Sequence, residues 1–269
     1  MTDFNGLKSA LEKPGFAEEE LARLARDYYS KVEFAVQLHH ITRLIPPGAS
    51  VLDIGSGPGR YAVELLRRGN KVALADLSES FLKKAGEEIA RQGLQAGVLA
   101  IKQQNAVRLD AFGDAQFDHA LLLGPVFYMD KAEERRQALA EAARVVKPGG
   151  LVFLTMLSSL RCVAEMFYVP VLKYRLTALD SYAARLEDEL GGLNSPQAVR
   201  QLIADCGLEI TGTYGADSAA GMAFDKIDEA AAVPGYWEKM VAALVRLSAE
   251  PALAGLSSHT TYILRKPAA

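Results

Sequence analysis

Cysteine and histidine are scarce in this sequence of 269 residues, which contains two cysteines and four histidines. Cys162 and Cys206 form neither a CxxC pair nor a zinc-ligand spacing, so we expect two ordinary thiols in a reducing compartment. His39 and His40 are adjacent and would point in different directions on a helix. The other histidines have no chelating spacing, and the sequence therefore predicts no metal site.

A basic surface and a long apolar run are also missing. The formal net charge is -3, which gives no electrostatic footprint for a DNA or RNA partner. No apolar run reaches the length of a membrane-spanning helix, and the stretch MTDFNGLKSALEKPGFAEEE has no leader-like pattern. We therefore expect a cytoplasmic protein with neither nucleic acid nor a membrane as partner.

Short apolar runs alternate with amphipathic stretches along most of the chain. The apolar runs predict buried strands at 51–55, 71–78, 97–104, 117–124, 151–157, 208–215 and 259–267. The amphipathic stretches predict helices at 16–45, 62–69, 79–92, 131–146, 196–206 and 225–248. KPGG (147–150) predicts a turn. This alternation favours an α/β protein whose mostly parallel sheet is covered by helices on both faces.

The alternation stops after residue 157, which divides the sequence into four parts. Residues 1–50 form an N-terminal helical lid segment, residues 51–157 the core, and residues 196–269 the return of the chain to the sheet. Residues 158–195 follow the carboxyl end of a strand, where ligands bind in open α/β sheets, so we expect a cap that selects a small molecule. Four of its apolar side chains either line a pocket or form the core of the cap: Met166, Phe167, Tyr168 and Tyr174.

The loop after the first strand, VLDIGSGPGR, is rich in glycine. Its glycines stand at alternate positions, Gly55, Gly57 and Gly59. A strand, a glycine turn and a helix form a nucleotide-binding unit, because glycine permits close approach and the helix start offers free N–H groups. Arg60 stands where a dinucleotide fold would have its third glycine. Asp76 ends the second strand, where a carboxylate accepts hydrogen bonds from both ribose hydroxyls and repels a 2′-phosphate.

The order of these motifs resembles that of the class I S-adenosylmethionine-dependent methyltransferases, in particular the small-molecule methyltransferases of types 11 and 25. VLDIGSGPGRYA is similar to the first motif of that family, VALADLS to the second and FDHALLLGPVFYM to the fourth. QQNAVRL resembles the third motif, with Asn105 in place of a more usual Asp, and ARVVKPGGLVFLT resembles the fifth strand with its turn. The resemblance implies a Rossmann-like sheet of seven mostly parallel strands with a reversed last hairpin.

The resemblance also implies a binding site for S-adenosyl-L-methionine. Asp53 would organise the amino group of the methionine part, often through water, and Asp76 would hold the ribose hydroxyls. The loop backbone would surround the methionine and ribose parts through Gly55, Ser56, Gly57 and Gly59.

Later strand ends would complete that cofactor site. Leu77 would lie against the face of the adenine, and Asn105 and Ala106 would meet its edge. Leu123 and Gly124 end the fourth strand and would lie beside the sulfonium.

Four other side chains have a functional and a structural interpretation. Tyr28 or Tyr29 would contact the methionine carboxylate or close over the site, or both would anchor an apolar helix face. Arg60 either meets a carboxylate or is solvated. His119 lies inside a predicted strand, and we expect it to be a packed strand histidine.

The acceptor side of the predicted site offers three candidate catalytic residues. Tyr128 follows Gly124-Pro125 and would line the methyl-transfer point. A base helps when the acceptor is a hydroxyl or a protonated amine, and His259 and Asp217 are the candidates for it. A structural role is the alternative for each.

These features predict an enzyme that transfers methyl from S-adenosylmethionine to a small-molecule acceptor, at O, N or C, by in-line displacement. A non-catalytic regulatory protein that binds S-adenosylmethionine or S-adenosylhomocysteine is one alternative, and a protein methyltransferase is another. FDHALLLGP lacks the NPPY-like signature of nucleobase and amide N-methyltransferases. Arg60 disfavours a nicotinamide-dependent oxidoreductase. The sequence specifies neither the acceptor nor the oligomeric state.

Overall fold

The computed structural model describes residues 3–26, 28–158, 192–218, 220, 229, 232–255 and 257–268, and the structural statements below concern these residues. Most of the predicted cap at 158–195 lies outside them, and so does Cys162. The four apolar residues singled out in that cap also lie outside: Met166, Phe167, Tyr168 and Tyr174. Within the described ranges, no helix combines the length and the apolar character needed to cross a membrane.

The described part of the chain alternates helices and strands. The α-helices are α1 (Phe4–Leu11), α2 (Phe16–Arg26), α3 (Tyr28–Leu44), α4 (Arg60–Arg67), α5 (Glu79–Arg91), α6 (Ala132–Val145), α7 (Pro196–Asp205), α8 (Tyr236–Leu247) and α9 (Pro251–Ala254). The strands are β1 (Ser50–Ile54), β2 (Lys71–Asp76), β3 (Val98–Gln103), β4 (Phe117–Leu122), β5 (Val146–Leu157), β6 (Glu209–Gly215) and β7 (His259–Arg265). Short 3-10 turns occupy Gln95–Gly97 and Pro125–Tyr128.

All seven strands belong to one sheet, in the order β3-β2-β1-β4-β5-β7-β6. β1 to β5 pair in parallel, whereas β7 lies antiparallel between β5 and β6. The register of β7 against β5 runs from Leu157↔His259 to Leu151↔Arg265. The start of β7 therefore lies at the same edge of the sheet as the carboxyl ends of the parallel strands. This arrangement confirms the predicted α/β fold and its reversed last hairpin.

The central strands are apolar throughout because both faces of the sheet are covered. In β2, Ala73 and Ala75 belong to one core cluster, and Val72 and Leu74 belong to the other. Helices α6 and α7 cover the first face, while α3, α4 and α5 cover the second. An uninterrupted apolar run such as VALA is the sequence pattern that this double burial requires.

The predicted turn at 147–150 is wrong, because β5 already begins at Val146. Pairing with the chain beyond β7 carries the strand through this segment: Gly149 N donates to the Lys266 carbonyl oxygen at 2.8 Å. On its other side, β5 pairs with β4, and there the strand register shifts between Phe117 and His119. Gly149 has a φ of +81°, which explains why the local sequence has the composition of a turn.

Two helix predictions also differ from the structure. The helix predicted at 16–45 corresponds to α2 and α3, and α1 precedes them without having been predicted. Within 232–248, the helix begins only at Tyr236, because Pro234 and the positive φ of Gly235 (+70°) break the predicted stretch. Residues 225–228, 230 and 231 of that prediction lie outside the described part.

Candidate functional site

A cavity of about 530 Å³ opens at the carboxyl ends of β1, β2 and β4. Loops after these strands form its floor, and side chains from α1, α2 and α3 form its walls. The structure brings together most of the predicted site residues along this cavity: Asp53, Gly55, Ser56, Gly57, Asp76, Leu77, Asn105, Ala106, Leu123, Gly124, Tyr128 and His259. Tyr28 and Gly59 do not line it, and neither do two further candidates, Tyr29 and Asp217.

The glycine loop connects β1 to α4 through backbone that L side chains rarely adopt. Gly55 has a φ of +71°, and its N–H donates to the carbonyl oxygen of Ala75 at 2.7 Å. A Cβ on Gly55 would come within 2.7 Å of Cδ of Pro125, in the loop after β4. Gly59 is the left-handed cap residue of α4, and a Cβ there would be 3.0 Å from Cβ of Ala85. Gly55 therefore keeps space between two loops, while Gly59 permits close packing of α4 against α5.

The carboxylate of Asp76 organises the floor of the cavity. It accepts a hydrogen bond from Gly57 N at 2.8 Å and another from Ser78 N at 2.9 Å. Burial raises the pKa of Asp76, although these backbone hydrogen bonds act in the opposite direction. Ser78 in turn caps α5, because its Oγ accepts from Phe81 N at 3.1 Å. Asp76 thus joins the glycine loop to the start of α5.

Asp53 is a buried acid with an unsatisfied oxygen. Within the described part of the chain, no hydrogen-bond partner reaches its Oδ2 atom. Burial, together with the negative charge of Asp76, raises the pKa of Asp53 to about 7. A buried carboxylate in this state is suited to a cationic ligand group, which would supply both a hydrogen-bond donor and a counter-charge.

One end of the cavity has an apolar wall that sequence reasoning missed. Helix α1 contributes Phe4, Leu7 and Leu11, whose spacing of three and four residues was the available signal. Phe16 and Phe81 stack beside them, with ring centroids 5.8 Å apart. Leu77, Asn105 and Ala106 line the same cavity and come from the ends of β2 and β3. This wall provides flat apolar surfaces, with the polar Asn105 side chain nearby.

Helix α1 is held in place by a carboxylate at its end. Glu12 accepts hydrogen bonds from Glu79 N at 2.7 Å and from Ser80 N at 3.3 Å. These N–H groups belong to the first turn of α5, where a negative charge is favoured. Glu12 therefore ties the end of α1 to the start of α5, beside the cavity.

A charged cluster from α2 and α3 was also missed. Arg23 donates to Glu20 at 2.7 Å and to Glu33 at 3.2 Å, and all three line the cavity. Burial disfavours the charge of Arg23, but the two acids outweigh it and raise its pKa. Tyr61, which also lines the cavity, lies in the electrostatic field of Glu33, Arg23 and Asp53.

The structure also places the four residues for which the sequence allowed a functional and a structural role. Tyr28 packs against Trp237, with ring centroids 4.8 Å apart, and lies outside the cavity lining. Tyr29 donates to the carboxylate of Asp217. Arg60 lines the cavity, with its guanidinium 4.7 Å from the ring centroid of Phe34. His119 is packed in β4, and its Nδ1 accepts from Leu151 N at 3.2 Å.

The opposite end of the cavity carries the predicted acceptor-side residues. Tyr128 is exposed, and its ring centroid lies 4.7 Å from that of Phe127. The His259 ring lies 5.9 Å from Phe127, and its Nδ1 is 3.7 Å from Oδ2 of the buried Asp217. Leu157, opposite His259 in the register of β5 and β7, also lines the cavity. This end is aromatic and contains an imidazole beside a carboxylate.

Comparison with known proteins identifies the domain that forms this cavity. Residues 52–154 match the family model described as a methyltransferase domain. This segment of the chain is therefore similar to a methyltransferase domain. The match begins in β1 and ends in β5, so the matched segment includes the glycine loop, Asp76 and the strand ends at the floor of the cavity.

Individual relatives of the methyltransferase domain support this assignment. The chain is 30% identical over 141 residues to a ubiquinone biosynthesis O-methyltransferase of Caulobacter vibrioides. This alignment covers 52% of this chain and 49% of the relative. It is 32% identical over 149 residues to a ubiquinone/menaquinone biosynthesis C-methyltransferase of Marinomonas, covering 54% and 53%. The chain thus spans about half the length of these curated relatives.

A solved structure extends the fold comparison over nearly the whole chain. The crystal structure of an S-adenosylmethionine-dependent methyltransferase from Thermotoga maritima covers 97% of this chain and 99% of its own. The TM-score is 0.57 and the sequence identity is 19%, a likeness that concerns the fold alone.

Proposed function

We propose that the cavity binds S-adenosylmethionine and that the protein transfers its methyl group to a small-molecule acceptor by in-line displacement. The observation that carries the proposal is the buried Oδ2 atom of Asp53, which lines the cavity without a hydrogen-bond partner among the described residues. An ammonium group beside it would satisfy this atom and compensate its charge. The amino group of a methionine moiety is such a group, and the glycine loop next to Asp53 leaves room for it.

The other predicted cofactor residues have matching chemistry. Asp76 is buried and already oriented by two backbone N–H groups, so its remaining lone pairs can accept from a ribose diol. Leu77, Phe81 and the α1 wall offer apolar surfaces to an adenine ring, and Asn105 offers an amide to its edge. Arg23 offers a guanidinium to the carboxylate of the amino-acid end.

The acceptor would bind at the aromatic end of the cavity. When bound, S-adenosylmethionine supplies an activated methyl group, so the protein's main task is to position the nucleophile. Leu123 and Gly124 follow β4 and line the cavity together with Phe127, Tyr128 and His259. These residues would orient a small acceptor, and we assign Tyr128 and His259 to that side.

Cofactor binding is expected to release a proton near pH 6. Free Asp53, with a pKa of about 7, is largely protonated at pH 6, and an arriving ammonium lowers that pKa. Calorimetric titration with S-adenosylhomocysteine in buffers of different ionisation enthalpy should therefore give a release close to one proton at pH 6. At pH 8.5 Asp53 is already ionised and the release should vanish.

The variant Asp53→Asn is the control for this proton release, since it keeps the shape and removes the titration. Binding of S-adenosylhomocysteine to this variant should release no proton from position 53, either at pH 6 or at pH 8.5. The same proton count in the variant and the wild type would contradict the role of Asp53. Absence of S-adenosylhomocysteine binding to the wild type, with NAD binding instead, would contradict the proposed function itself.

Arg23→Met is expected to weaken S-adenosylhomocysteine binding about tenfold, because one charge-assisted hydrogen bond to the carboxylate is lost. 5′-Methylthioadenosine is the matched probe, since it keeps the nucleoside and lacks the amino-acid end. Its affinity should be the same in both proteins. An equal loss of affinity for both ligands would show that Arg23 maintains the general shape of the cavity and does not bind the carboxylate.

A further inference from the structure

His259, Asp217 and Tyr29 meet at the acceptor end of the cavity, although they come from three separate segments. His259 is the first residue of β7, Asp217 follows β6, and Tyr29 lies on α3. The imidazole lines the cavity, and its Nδ1 is 3.7 Å from the Asp217 carboxylate. The Nδ1 side of the ring therefore faces Asp217, and Nε2 lies on the other side of the ring.

Asp217 is a fixed, fully buried carboxylate. It accepts hydrogen bonds from the Tyr29 hydroxyl and from Ser258 N at 2.9 Å. Its own N–H donates to Oγ of Ser257 at 3.1 Å. Burial, together with the negative charge of Asp217, raises the pKa of Tyr29, so Tyr29 stays protonated and remains a donor to Asp217. A buried carboxylate held from several sides can orient a neighbouring imidazole.

We propose that Asp217 positions His259 as the general base for an acceptor hydroxyl, and that the acceptor is a phenol. This inference rests on the proposed function and assigns its substrate class. The distance of 3.7 Å is too long for a hydrogen bond, and such contacts between a base and its positioning group often tighten only when substrate is bound. His259 is the residue that would touch the acceptor, and Asp217 acts through it.

The proton balance favours a hydroxyl acceptor. The acceptor O–H gives its proton to Nε2 of His259, and the O–H electron pair stays on oxygen. That oxygen bonds to the methyl carbon while the carbon–sulfur electron pair remains on sulfur. The imidazolium that results lies beside the negative charge of Asp217. A neutral amine attacks through a lone pair that it already has, so it needs no base at this step.

Two features favour a phenol among hydroxyl acceptors. A phenolic hydroxyl has a pKa of about 10, within a few units of the value of about 6.5 that is usual for imidazole, so proton transfer between them is feasible. Phe127 and Tyr128 provide aromatic surfaces beside His259, and aromatic rings pack favourably against each other.

The first test needs no acceptor and uses the protein saturated with S-adenosylhomocysteine. Histidine titration by NMR gives the pKa of His259, whose signal is assigned by its loss in His259→Gln. The exposed His39 provides the control variant His39→Gln. Titratable groups near His259 are Asp217 beyond β6 and Tyr29 on α3, and Glu33 acts on the Tyr29 hydroxyl.

Asp217→Asn should lower the proton affinity of His259 at least about tenfold, because an opposite charge within a few ångströms is lost. Tyr29→Phe should raise it, because one donor to Asp217 is removed and the carboxylate charge is less compensated. A role of Asp217 and Tyr29 in packing alone, without charge acting on His259, predicts no such opposite shifts. If the pKa of His259 is unchanged in both variants, the proposal is overturned. If Asp217→Asn fails to fold, the result for Tyr29→Phe decides alone.

The second test measures transfer of labelled methyl from S-adenosylmethionine to matched probes. Phenol, catechol and 4-hydroxybenzoate form one set, and aniline, 1,2-diaminobenzene and 4-aminobenzoate form the other. We expect transfer to a phenol, about 100-fold slower in His259→Gln. Transfer to anilines alone, or to neither set, contradicts the assigned acceptor class. Binding of S-adenosylhomocysteine to the wild type and to His259→Gln is measured in parallel. It shows whether the cofactor site of the proposed function is intact in each protein.

Discussion

Asp76→Ala should weaken S-adenosylhomocysteine binding by about 100-fold or more, which is the largest effect on cofactor affinity that we expect. A hydrogen bond to a charged group contributes about 1.5–3 kcal/mol to binding, and Asp76 would make two such bonds to the ribose. Losing both therefore lowers the affinity at least about 100-fold. The variant also frees Gly57 N and Ser78 N, which donate to this carboxylate. The glycine loop and the start of α5 would then lose their common acceptor.

Calorimetry with a matched acid separates this effect from a change in net charge. Asp110→Ala removes an acidic side chain that is 62% exposed and forms an ion pair with Arg108. It should leave the affinity unchanged, because exposed ion pairs contribute little. A loss of less than about tenfold in Asp76→Ala would show that the ribose is not held by this carboxylate.

Gly55→Ala should abolish most cofactor binding through a single added methyl group. The methyl carbon would come within 2.7 Å of Cδ and 2.8 Å of Cγ of Pro125, so the loop after β1 or the loop after β4 must move. Overpacking of this kind costs about 1–3 kcal/mol, and the displacement falls on the floor of the cavity. We expect the affinity for S-adenosylhomocysteine to fall on the order of 10- to 100-fold.

Gly69→Ala is the matched control for Gly55→Ala. Gly69 also has a positive φ, +84°, but no atom lies within 4 Å of the added Cβ. Both variants therefore share a backbone strain of roughly 1–2 kcal/mol in the free energy of unfolding, and only Gly55→Ala closes the cavity. Similar losses of affinity in the two variants would attribute the effect to strain. The pair thus separates folding stability from the shape of the site.

The floor of the cavity was predictable because its residues are local in sequence. β1, the glycine loop and β2 lie within 50–76, and the parallel pairing of β1 with β2 brings Asp53 and Asp76 to one edge. A strand buried on both faces gives an apolar run that is easily recognised, and glycines with positive φ mark the loop. Short-range patterns were therefore sufficient for the floor of the cavity.

The walls of the cavity were not predictable in this way. Arg23 and Glu33 reach the cavity that Asp53 also lines only because α2 packs against α3. A charged residue on an amphipathic helix has the same sequence pattern when it is solvated. The sequence suggested Asp217 and His259 separately as bases. Only the insertion of β7 between β5 and β6 brings the two together.

That strand order has a consequence for how such a protein can diversify. The floor of the cavity around Asp53 and Asp76 is built by one stretch, residues 50–78, whereas the residues proposed to face the acceptor come from the 125–128 turn, the segment after β6 and the first residue of β7. Substitutions in these separate segments leave the hydrogen bonds around Asp76 untouched. Under the proposed function, acceptor preference can therefore drift during evolution while the floor of the cavity stays unchanged.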